Sequence, residues 1–159
     1  MTLTVDEGNP KYGSENNTVY TKDTNHLVLG ARGLTKLIIP ERVVSIGGAS
    51  FGGSIALTQV ETPENAALTI IGDKAFIDCS ALKTVHIGNK VKSIESTAFG
   101  GCTNAEITLP ESITTINSGA FGLDTSSYCK KVRIKSGTHY NRIEKLVKDS
   151  GYTGTIEKY

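Results

Sequence analysis

The sequence predicts a solenoid, a stack of similar turns of chain closed at its C-terminal end by a helix. Three observations carry that prediction. One order of apolar and turn residues recurs four times, starting at Leu34, Leu57, Leu82 and Asn104. All four phenylalanines, Phe51, Phe76, Phe99 and Phe121, fall at the same place in that order. Beyond the last repeat, Thr138 to Ser150 changes to helical spacing, with Tyr140, Ile143, Leu146 and Val147 between Lys, Arg, Glu and Asp. A unit this short cannot bury its own apolar face, so each must stack on its neighbours.

Residues 1–33 are the irregular part. Thr2 to Asp6 alternates as a strand does, with Leu3 and Val5 on one face. The turn-rich run from Gly8 to Asn17 separates it from Thr18–Thr21. Lys22 to Asn25 reads as a tight turn into His26–Leu29. Thr18 to Leu29 is therefore expected to be a β-hairpin inserted into the first repeat. Asn16-Asn17-Thr18 fits a glycosylation acceptor pattern that is common by chance. The start, MTLTVDEGNP, has neither a basic beginning nor an apolar core, so it does not read as a signal peptide. The chain reads as an excised or mature part of a longer protein, with Met1 an added residue.

Residues 34–135 hold the regular repeats of 22–25 residues. Each opens with a strand whose alternate residues form an inward pair: Leu37 and Ile39, Val60 and Thr62, Val85 and Ile87, Ile107 and Leu109, Val132 and Ile134. Pro40, Pro63 and Pro110 end three of these strands and Gly88 a fourth, and proline suits a strand end because it lacks a ladder donor. A second apolar pair follows in each full unit: Val43 and Ile46, Leu68 and Ile71, Val91 and Ile94, Ile113 and Ile116. The phenylalanine comes five residues later, behind Ser50, Ala75, Ala98 or Ala120. One side chain at one position in every turn implies an aromatic spine. The extra residues between Pro63 and Leu68, and the polar run Gly122 to Cys129, are loop variations on this pattern.

Residues 136–159 should form the cap. Asn141 and Glu144 have capping-box spacing, Thr138 is an alternative helix start, and Gly151 is a stop. Thr153 to Glu157 adds one short strand. Cys79 and Cys102 lie three residues after successive phenylalanines, so they are read as a ladder of small buried hydrophobes, with a bond between them left open. Neither they nor Cys129 have a second ligand nearby that would make a metal site.

The order LxxVxIPxxVxxIxxxAFxxC, as in Leu34 to Phe51 and Leu82 to Cys102, resembles the BspA-type leucine-rich repeat. The likeness is strong over residues 34–135 and weaker at both ends. Thr62, Asn104, Ser54, Asp124 and Gly88 depart from the pattern. The resemblance implies one α/β leucine-rich-repeat solenoid over residues 1–159. It would be right-handed and curved, with a parallel β-sheet on the concave face and short turns or 3-10 segments on the convex side. It also implies export, surface display and binding to a protein or extracellular-matrix partner, with no catalytic residues to carry over.

The rest of the chain points the same way. Net charge is +1, so nothing global drives the chain to nucleic acid or an anionic membrane. No apolar run approaches the roughly 20 residues that span a bilayer. His26, His86 and His139 have no partner at ligand spacing, and no nucleophile elbow, phosphate loop or zinc pattern occurs. The glycine pairs Gly52-Gly53 and Gly100-Gly101 lack the lysine of a phosphate loop and belong to repeat turns. Asp6 and Glu7 are adjacent in an extended segment and point apart. No enzyme, cofactor or metal is expected, and the chain should be a monomer.

Function is left to the outward face of the stacked strands. One column there is Lys36, Gln59, Thr84, Glu106 and Lys131; the other is Ile38, Glu61, His86, Thr108 and Arg133. Stacking spaces such residues about 4.8 Å apart, a surface for an extended partner. No aromatic anchor stands in either column, and Ile38 is the only apolar candidate. The plainer reading is a solvated face of mixed charge, in a spacer with no ligand of its own. A basic run, Lys130, Lys131, Arg133 and Lys135 with Arg142, Lys145 and Lys148, is a second surface, suited to acidic glycans or to solvent.

Overall fold

Alternation in the repeats makes short strands, and the recurring turns lay each strand beside its predecessor. The computed structural model describes residues 2–159, so the expectation about Met1 lies outside it. In chain order the strands are β1 (Tyr12–Glu15), β2 (Thr18–Thr21), β3 (His26–Gly30), β4 (Lys36–Ile38), β5 (Ser45–Ile46), β6 (Gln59–Glu61), β7 (Ile70–Ile71), β8 (Thr84–His86), β9 (Ser93–Ile94), β10 (Glu106–Leu109), β11 (Thr115–Ile116) and β12 (Lys131–Ile134). Helix α1 (Tyr140–Asp149) and strand β13 (Thr155–Lys158) follow. From β3 to β12, successive strands alternate between two sheets. One runs β4-β6-β8-β10-β12-β13, all parallel; the other runs β1-β2-β3-β5-β7-β9-β11 and is parallel from β3 onward. The side expected to hold only turns is thus laddered by two-residue strands.

A third ladder joins the turns at the phenylalanine corner. Phe51, Phe76 and Phe99 each donate an N–H to the residue before the next phenylalanine, at Ala75, Ala98 and Ala120. The rings stack at centroid separations of 5.2, 5.3 and 6.4 Å with planes within 9° of parallel. Gly30 on β3 meets one end of the spine, and Tyr152 closes the other edge-on, 5.6 Å from Phe121. Burial of the spine and of the inward pairs holds the turns together.

The departures from the repeat compensate one another. Gly88 replaces proline beside Thr62, where a Cβ would come within 2.6 Å of the Thr62 methyl. Asn104 points out and bonds the Ser80 carbonyl, while Ala105 takes the buried place of Leu82. Cys129 takes that place in the following turn. Gly53 and Gly101 adopt positive φ, 68° and 76°, as their turns require.

Several expectations need correction. Thr2–Asp6 is not a strand: Leu3 and Val5 give their N–H groups to the Asn17 and Ser14 side chains instead of to a ladder. The turn-rich run contains β1, which pairs with β2 across Asn16 and Asn17, both at positive φ. The Thr18–Leu29 hairpin forms as expected, and its second strand β3 also pairs with β5, where the parallel part of the second sheet begins. Helix α1 starts after His139 with no side-chain cap, and Glu144 bonds the Tyr140 hydroxyl instead of closing a capping box with Asn141. Gly151 ends the helix at φ 92°.

Candidate functional site

Strand register puts all ten candidate residues on one face. Lys36, Gln59, Thr84, Glu106 and Lys131 are successive partners, as are Ile38, Glu61, His86, Thr108 and Arg133. Strand β13 lengthens the two columns by Thr155 and Glu157. These two were missed because they lie beyond α1, outside the repeat pattern; the alternation Thr155-Ile156-Glu157 was their only signal. The inward residues between the columns, Leu37, Val60, Val85, Ile107 and Val132, are buried, so the face rests on a fixed floor.

Its charges are largely spent on one another. Lys36 lies 2.5 Å from Glu61, Lys130 lies 2.7 Å from Glu106, and Glu157 pairs with Lys131 and, at 3.5 Å, with Arg133. Hydrogen bonds from Lys36, Lys130 and Lys131 hold the Glu61, Glu106 and Glu157 carboxyls below the usual glutamate value. The Glu157 bond raises Lys131 in turn. Gln59, Thr84, His86 and Thr108 form a polar centre between these pairs, with Ile38 exposed at one edge. Pairing of this kind could not be read from the sequence, since partners lie on different turns.

The basic run divides in the same way. Lys145 pairs with Asp149, Lys148 with Glu144, and Arg142 donates to the Glu111 and Ile113 carbonyls. Tyr159 was also missed. It lies just past β13, and the Arg133 guanidinium sits 4.7 Å from its ring centroid.

The other candidates stay apart. His26 bonds Ser45 through Nδ1 at 2.6 Å, and His139 lies 3.8 Å from Glu111. Among the described residues no three His, Cys, Asp or Glu are grouped to hold a metal ion, and no helix is long and apolar enough to cross a membrane. The three thiols are free and buried. Cys79 and Cys102 donate to the Phe51 and Phe76 carbonyls of the preceding turn. Burial pushes Cys129 up to about 12.

Residues 29–145 match the family described as a BspA type leucine rich repeat region, in six copies. Among solved structures, the pneumococcal vaccine antigen PcpA is similar at 20% identity and a TM-score of 0.64, over 99% of this chain and 50% of that one. The chain thus spans about half the length of that antigen. A leucine-rich repeat protein from Bacteroides capillosus is 22% identical, with a TM-score of 0.67, over 79% of this chain and 99% of the other. A Treponema protein, the T. pallidum leucine rich repeat protein, is 18% identical, with a TM-score of 0.57, over 95% and 97%. Likenesses at these identities establish the fold. No curated protein sequence matches the chain.

Proposed function

The chain belongs to the BspA-type leucine-rich-repeat family, and from that premise we propose that it is a non-enzymatic module, secreted or displayed on a cell surface, that binds a protein or extracellular-matrix partner. The partner lies across the outward face of the β4-β6-β8-β10-β12-β13 sheet. One observation carries this reading: two columns of side chains run unbroken and in register across that sheet. They give an extended partner a regular surface on a buried, rigid floor. The flanking charges are already paired, so contact is concentrated at Ile38, His86 and Thr108. The surface location draws on the family and on a neighbour that is itself described as a vaccine antigen.

The test is a binding measurement against immobilised extracellular-matrix proteins. Ile38→Asp, His86→Ala and Thr108→Arg should each weaken a true ligand about tenfold, roughly 1.4 kcal/mol, while Lys92→Ala, just before β9 of the other sheet, leaves it unchanged. The second reading is an architectural spacer, favoured by the self-paired charges and by the lack of an aromatic anchor in the columns. Failure of every matrix protein to bind at about 10 μM would favour the spacer.

A further inference from the structure

An open recess of about 500 Å³ lies beside the sheet, where the chain leaves β10 and turns at Pro110. Ile87 and Leu109, both buried, contribute its apolar floor. Asn89, Glu111, Lys135 and Tyr159 stand around it. Tyr159 is 45% exposed, and its ring is steadied by Arg133, which does not line the recess. The Glu111 turn is clamped from behind, because Arg142 bonds its carbonyl at 2.8 Å and that of Ile113 at 2.5 Å. Lys135 has no ion-pair partner among the described residues.

We propose that this recess binds one pyranose unit of a saccharide. A sugar ring has an apolar C–H face and a rim of hydroxyls that both donate and accept. Tyr159 offers a ring to the C–H face. Around it stand an acceptor in the Glu111 carboxylate, a donor in the Lys135 ammonium, and both in the Asn89 amide. An acidic peptide side chain matches this set poorly. It would satisfy Lys135, but it would face Glu111 with like charge and leave the ring and the Asn89 carbonyl unused. The recess borders the sheet face, sharing Thr108 with it, but its other lining residues lie off the two columns, and it does not depend on a protein partner there. A single shallow unit gives weak binding, with Kd about 1 mM.

The test is a titration of the full chain with neutral and uronic-acid-bearing hexasaccharides and with a glutamate hexapeptide, followed through the amide NMR spectrum. At least one saccharide should shift the amides of Asn89, Glu111, Lys135 and Tyr159. Tyr159→Ala and Asn89→Ala should each weaken that saccharide about tenfold, while Tyr159→Phe and His86→Ala leave it unchanged. The spectrum itself reports whether each variant is folded, and if Tyr159→Ala is not, Asn89→Ala decides. The proposal is overturned if no saccharide shifts these amides, if the folded alanine variants bind as before, or if only the glutamate peptide binds.

Discussion

At single residues, the corner before each phenylalanine shows what the fold demands and what the sequence tolerates. Ala49, Lys74, Thr97 and Gly119 occupy one position, two before the phenylalanine, and all have positive φ, between 50° and 67°. Glycine suits that backbone; a β-branched residue does not. Thr97 is strained there, and its buried Oγ1 has no hydrogen-bond partner. Relief of αL strain and of an unpaired hydroxyl outweighs the chain entropy that glycine adds, so Thr97→Gly should stabilise the protein by about 1 kcal/mol. Thermal unfolding would then rise by roughly 2–4 °C, and a fall would show that the strain is not there. Gly30 is the reverse case. A Cβ on it would lie 2.1 Å from Phe51 Cε1, and Phe51 cannot retreat because Phe76 is stacked 5.2 Å behind it. Gly30→Ala is expected to cost about 1–3 kcal/mol, read as a lowered denaturation midpoint at unchanged slope.

At the level of elements, regular strands were legible because alternation and recurrence say the same thing in every turn. Elements that depend on one local contact were not. Strand β1 was hidden in a turn-rich run because its pairing rests on Asn16 and Asn17 adopting left-handed backbone. Thr2–Asp6 had the right alternation, but side chains of Ser14 and Asn17 took the hydrogen bonds a neighbouring strand would have made. Helix α1 was placed by its apolar spacing, while its start was misjudged because neither Thr138 nor Asn141 supplies a cap. Ion pairs between strands add a pH dependence to the long sheet. Glu61, Glu106 and Glu157 are held below the ordinary glutamate value of 4.5 by their lysines. Depressed carboxyls stabilise the fold above the unfolded value, and that contribution is lost as pH falls through the folded one. Thermal stability at low ionic strength should therefore decline as pH drops below about 4.5. Glu157→Gln should flatten part of that decline, and so should about 1 M salt, which cuts the screening length to roughly 3 Å. An unchanged decline in both would place the acid sensitivity elsewhere.

For the whole molecule, the surface was partly legible for the same reason as the core. A period of two decides which residues face out, and stacking decides which share a column, so all ten candidate residues fell on one face. Which charges neutralise one another was not legible, since Lys131 meets Glu157 only after the chain has passed through a whole helix. The recess at Tyr159 was hidden likewise, because it joins residues at the ends of four successive strands, β8, β10, β12 and β13. A stack of this kind is held by contacts between neighbours, so stability should depend on how many neighbours a turn has. Turns at the middle are covered on both sides, and Val85, Ile94 and Phe99 are fully or almost fully buried. The ends have one covered side: β1 is an outer strand of its sheet, and β13 is an outer strand of the other. Native-state hydrogen exchange should then be slowest at the amides of Phe76, Val85 and Phe99. It should quicken toward β1 and toward α1 and β13, with end and middle differing by about 2 kcal/mol, roughly thirtyfold in rate. Equal protection from β1 to β13 would mean that the chain opens as one cooperative unit, and that neighbour-by-neighbour stacking does not govern its stability.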